Sequence, residues 1–99
     1  MEENKRVLER IHLATPIRYQ KKGSQGFGNF MGRDISANGI GFVSNEFFPV
    51  STQLIFEFQQ PKANNYIKAV GEVVWISSQS YSERFSAGAK FIEPLSILS

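Results

Sequence analysis

Two short patterns hold the residues best suited to recognition chemistry, Arg6-Val-Leu-Glu-Arg10 and Asp34-Ile-Ser36-Ala-Asn-Gly39. In the first, two guanidinium groups stand on a charged N-terminal stretch, directly after Lys5. A guanidinium is a planar fork that bridges phosphate oxygens, takes both acceptors of a guanine Hoogsteen edge, or stacks on a base. A solvated charged arm accounts for the same residues, so this pattern by itself leaves both readings open. In the second, the Asp34 carboxylate can accept from the N1 and N2 donors of guanine. Ser36 can donate to or accept from base or phosphate, and Gly39 lets backbone approach closely. An Asx or Ser turn at a tight corner would use the same side chains, and that reading is equally open.

Catalytic chemistry has little to work with. It needs a nucleophile beside a base, paired carboxylates or a metal cluster. His12 is the single histidine and stands beside Leu13 where a strand begins, so we read it as structural or solvated. The acidic residues fall one at a time, without EF-hand spacing. Gly26-Phe-Gly28 and Gly39-Ile-Gly41 lack the strand-to-helix setting of a dinucleotide fingerprint, and no P-loop is present. Without cysteine there is neither a thiolate nucleophile nor a disulfide framework. We expect no enzyme activity, no metal and no cofactor.

The elements that must position these residues read as strands. Leu13 to Tyr19 carries apolar residues at a two-residue rhythm, with Pro16 tolerated at a sheet edge or a bend. Gln20 to Gln25 is turn chemistry, and Phe27 to Arg33 resumes an extended pattern. After the Asp34–Asn38 turn, Ile40 and Phe42 point one way. Leu54, Phe56 and Phe58 alternate with Ile55 and Glu57. A run from Ile67 to Ile76 puts Ala69, Gly71, Val73 and Trp75 on one face, and Phe85, Ala87, Ala89 and Phe91 form a last alternation. Roughly six short strands with no amphipathic helix argue for a closed or nearly closed antiparallel barrel. Phe47, Phe48 and Pro49 either plug one end of that barrel or form an apolar docking patch.

At 99 residues and 41% apolar, the chain supports one folded domain. Met1 to Arg10 lacks the apolar core of a signal peptide, and no run approaches a membrane span, so a soluble, cytoplasmic module without membrane insertion is expected. A net charge of only +2 does not imply a grip on a nucleic-acid polymer. The basic residues also cluster at one end rather than along a strand face, which argues against a general single-strand binder.

The Arg-x-x-x-Arg arm ahead of the first strand, followed after one hairpin by Asp-x-Ser-x-x-Gly, resembles the PilZ domain family. Pro16-Ile-Arg-Tyr19 is similar to that family's first strand, Gly71-Glu-Val-Val-Trp75 to a late strand, and Gly88-Ala-Lys-Phe91 to the last. The resemblance implies an all-β, six-stranded antiparallel barrel and a receptor for cyclic di-GMP. Arg6 and Arg10 would engage guanine and phosphate, while Asp34, Ser36 and Gly39 would line the base pocket. Lys5 would offset the repulsion between two stacked dianionic ligands. Residues 1–12 would form a flexible ligand-binding arm, 13–93 the barrel, and 94–99 a truncated C-terminal segment too short for the family's usual helix. Some members lack the arginines and serve as protein-interaction modules. Such a module is the alternative, and a protein partner or a further domain would receive the signal.

Overall fold

The computed structural model describes residues 11–12, 15–59 and 66–93. The strands are β1 (Ile11–His12), β2 (Pro16–Lys21), β3 (Gly28–Ile35), β4 (Gly39–Ser44), β5 (Gln53–Gln59), β6 (Tyr66–Ser78) and β7 (Phe85–Phe91). β3, β2, β5, β6, β7 and β4 follow one another around the sheet, every pair antiparallel, and β4 pairs back onto β3 to close a six-stranded barrel. Closure removes the sheet edges that would otherwise invite pairing with another chain. β1 lies outside the ring, where β2 stops short along β3: β2 covers Gly28 to Met31, and β1 covers Asp34 and Ile35.

The expected all-β barrel is therefore the fold of the chain. β2 begins at Pro16, the position in a strand where a missing N–H costs no ladder bond. Lys5, Arg6 and Arg10 of the expected arm, and the C-terminal segment from 94, lie outside the described residues.

The two-residue rhythm of the sequence fills the interior. Leu54, Phe56 and Phe58 of β5, Ile40 and Phe42 of β4, and Ala87, Ala89 and Phe91 of β7 are all buried. A barrel this narrow holds a few large rings and needs small residues opposite them. Phe30 stacks on Phe42 with centroids 4.0 Å apart, and Phe56 meets the two edge-on at 5.7 and 5.8 Å. Gly71 makes room for that third ring, since a Cβ there would come within 2.8 Å of it.

Phe48 stops one end of the barrel. It is wholly buried and meets Tyr19 edge-on at 5.3 Å. Its neighbour Phe47 stays 55% exposed, resting against Phe85 at 5.6 Å, so the Phe47-Phe48-Pro49 segment divides between plug and surface. Glu46 ties the plug to β2: the Tyr19 hydroxyl donates to its Oε1 at 2.6 Å, and Lys21 pairs with its Oε2 at 3.4 Å. Buried Ser44 fixes the same loop by accepting from the Glu46 amide at 2.9 Å.

Candidate functional site

The opposite face of the wall is built by breaking the alternation. Between β3 and β4 the register jumps from Gly32↔Phe42 to Asp34↔Gly41, leaving Arg33 as an extra residue. Between β6 and β7 it jumps from Val73↔Ala89 to Trp75↔Gly88, leaving Val74 as the extra one. A bulge sets two successive side chains on one face. Arg33 is exposed beside half-buried Asp34, and Val74 and Trp75 are 48% and 45% exposed beside each other. The strands between the bulged ones, β4 and β7, carry glycine at the same level. Asp34 opposes Gly41, Gly41 opposes Gly88, and Gly88 opposes Trp75.

The result is a trough with a backbone floor and side-chain banks. A Cβ on Gly41 would lie 3.0 Å from Asp34 Oδ1, and one on Gly88 would collide with the Trp75 indole, so both side chains lean inward over the glycines. Measured along the sheet, three strand spacings separate the banks, about 14 Å between Asp34 and Trp75. The recess has a volume of about 360 Å³, at the lower end of the range for small-molecule sites. Arg33 lines one bank and Lys90 rises at the end nearest Gly39, so the recess presents cations together with one carboxylate and one indole.

The turn from Ser36 to Asn38 closes that end. Ser36 is buried, its amide donates to the Gly39 carbonyl at 2.9 Å, and its Oγ accepts from the Asn38 amide at 3.3 Å. The Asn38 carbonyl in turn accepts from the Phe91 amide at 2.8 Å, pinning the turn to β7. Ser36 thus makes the turn contact that its type allows, and the turn lines the recess as well. The close approach that Gly39 permits is between strands, because a Cβ there would meet the Ala89 carbonyl oxygen at 2.6 Å. The structure gathers Asp34, Ser36 and Gly39 around one recess. Ile11 and His12, directly after Arg10 in sequence, pair with Ile35 and Asp34 of the same corner.

One placement from the sequence is corrected. The rhythm of β6 puts Trp75 on the core face with Val73, but the bulge at Val74 turns it outward and gives the inward position to Ile76. Trp75, Arg33, Gly41, Gly88 and Lys90 are the recess residues that sequence reasoning missed. A residue with two opposite strand neighbours cannot be recognised from its own strand, although glycines on two strands that alternate with apolar residues were a usable hint.

A closed antiparallel barrel with a ligand-sized recess on its outer wall, banked by a carboxylate and an indole, has the form of a small binding module. The chain belongs to the PilZ domain family, whose model matches residues 4–98. PilZ domains are binding and effector modules, generally receptors for cyclic di-GMP. Among solved structures, the Bacillus subtilis inhibitor of motility MotI/DgrA is similar, with a TM-score of 0.64 and 19% identity over 88% of this chain and 42% of that one. The chain therefore spans less than half the length of that protein, and the likeness concerns the fold. No curated protein matches the chain. Among the described residues, no helix is long and apolar enough to cross a membrane.

Proposed function

We propose that this chain is a receptor module for cyclic di-GMP that turns nucleotide binding into a change of shape. The observation that carries the proposal is the row Asp34–Gly41–Gly88–Trp75 across β3, β4, β7 and β6. A flat purine needs a floor without side chains, an acceptor for N1 and N2, and an aromatic or apolar bank for its face. Glycines, Asp34 and Trp75 are suited to those tasks. Ser36 and Gly39 complete the corner. Arg6 and Arg10 supply guanidinium groups for O6, N7 and the phosphates, and Lys5 adds a cation that favours a second stacked ligand.

The conformational step rests on the arm. Its cations repel one another until a polyanion lies between them, and its few apolar residues give it little to dock with. Ligand binding then orders Lys5 to Arg10 against the corner where β1 meets β3, and whatever is attached upstream feels the new direction.

Titration calorimetry with cyclic di-GMP and cyclic di-AMP tests the proposal. Cyclic di-GMP should bind preferentially, because adenine presents an N6 donor where guanine presents O6. Arg6→Ala, Arg10→Ala and Asp34→Ala should each remove about 1 to 3 kcal/mol, roughly fivefold to more than a hundredfold in affinity. Amide exchange should show protection appearing at Val7 to Arg10 only with ligand bound. Equal affinity for the two nucleotides would overturn the base readout. No binding at all would favour the protein-interaction alternative, for which exposed Phe47 beside Phe85 is one apolar surface among the described residues.

A further inference from the structure

The bulge at Arg33 does more than turn Asp34 outward. An uninterrupted β3 would alternate Arg33 with Asp34 on opposite faces; the inserted residue instead sets a cation directly beside the carboxylate on the same bank. Lys90 stands at the end of the recess, outward on β7 between Gly39 of β4 and Glu72 of β6. Among the described residues, neither Arg33 nor Lys90 is engaged in an ion pair, even though Glu72 directly opposes Lys90. Arg18 and Lys21 on β2, by contrast, are held by Glu57 and Glu46 at 3.7 and 3.4 Å. Two uncommitted cations therefore line a recess whose floor is bare backbone.

We propose that Arg33 and Lys90 form a phosphate clamp built into the barrel wall, holding the sugar–phosphate ring of the dinucleotide over the Gly39–Gly41–Gly88 floor independently of the arm. The clamp rests on the cyclic di-GMP reading and deepens it by dividing the labour. Asp34 and Trp75 face the base, the arm brings its own guanidinium groups, and Arg33 and Lys90 meet phosphate oxygens. A guanidinium gives a phosphate a two-point contact and an ammonium gives it a point charge, and neither contact distinguishes one base from another. The clamp therefore sets affinity and its salt dependence, whereas Asp34 sets the choice of base.

The test titrates cyclic di-GMP into the full chain and into its Arg33→Gln, Lys90→Gln and doubly substituted forms, at several salt concentrations. Melting curves confirm the fold. Both residues are exposed, so the variants should melt like the parent. Each single variant should lose about two- to fivefold in affinity, as expected of a partly screened charge contact. The double variant should lose roughly the product of the two, and its affinity should depend less steeply on salt. A chain carrying Arg6→Ala and Arg10→Ala should retain weak binding that Arg33→Gln weakens further. If the parent binds and the Arg33 and Lys90 variants match it in affinity and salt slope, the clamp is refuted while the base readout stands. If the parent does not bind cyclic di-GMP at all, the receptor reading fails and the clamp with it.

Discussion

The plugged end of the barrel and its recessed wall are made from the same kind of strand and obey opposite rules. At the plug, β2, β4 and β5 keep strict alternation, aromatic rings fill the interior, and Phe48 is fully enclosed behind the Tyr19–Glu46–Lys21 contacts. Along the recess, β3 and β6 each interrupt the alternation, glycines replace side chains on the strands between, and an indole stays nearly half exposed. The first region spends its residues on burial; the second leaves a polar and aromatic surface uncovered. Bulges concentrate next to functional sites because they re-aim side chains without disturbing the sheet on either side. The recess is thus a feature added to a barrel stabilised elsewhere, so stability and binding should respond to different substitutions.

The largest expected effect is on the plug. Phe48→Ala empties a fully buried aromatic site and should cost about 3 to 5 kcal/mol, which lowers the melting temperature by roughly 12 °C or more for a domain this small. Below that melting point its affinity for cyclic di-GMP should stay within about twofold of the parent, since the recess draws its residues from other strand positions. A variant that melts like the parent would mean the ring does not close the barrel. One that stays folded but loses the nucleotide would erase the division between the two regions.

A pair of glycine substitutions separates the regions at closer range. Gly39→Ala drives a methyl group into the Ala89 carbonyl, a backbone atom that cannot swing aside, so β4 and β7 must part at a cost of about 1 to 3 kcal/mol. Gly88→Ala meets the Trp75 indole instead, and that side chain has solvent to move into. The barrel should lose no more than about 1 kcal/mol, while cyclic di-GMP affinity falls roughly tenfold as the bank shifts. Trp75 is the only tryptophan, so its fluorescence reports the displacement directly. If Gly88→Ala is the more destabilising of the two, the floor is structural and the recess is incidental.

The regular region was legible in the sequence and the interrupted one was not. The rhythm of β5 and β7 announces their buried residues without any knowledge of their partners, and the Asp34–Gly39 turn is visible from its own side-chain chemistry. A bulge is different, because it is defined by a mismatch between two strands distant in sequence. Nothing within Gly71 to Ile76 states that Val74 has no counterpart on β7, so the rhythm alone puts Trp75 on the face of Val73. The placement of Arg33 beside Asp34 likewise depends on the register with β4. Candidate residues carried by a local motif could be found from sequence, whereas those brought together by register had to wait for the sheet.

The smallest effect probes the tie that holds the plug. The Tyr19 ring stacks on Phe30 at 4.9 Å, and its hydroxyl donates to Glu46 Oε1 at 2.6 Å. Burial first, then the hydrogen bond to the Glu46 carboxylate and its charge, push the phenol from 10.0 up to about 12. The folded chain thus holds this proton more tightly than the unfolded chain does. Its contribution is complete below pH 10 and is lost as the pH rises from 10 towards 12, because there the unfolded state ionises first. Urea unfolding of the parent and of Tyr19→Phe, measured from pH 8 to 12, isolates this contribution. Contributions common to the two chains largely cancel in the difference. The stability advantage of the parent should be constant up to about pH 10 and then shrink, while Asp34→Ala, which touches neither the Tyr19–Glu46 bond nor the Lys21–Glu46 pair, should leave the high-pH profile as it is in the parent. A difference that stays flat to pH 12 would mean that neither burial nor Glu46 holds the phenol proton in solution. The plug would then rest on ring packing, the Lys21–Glu46 pair and the Ser44 contact, without the phenol hydrogen bond.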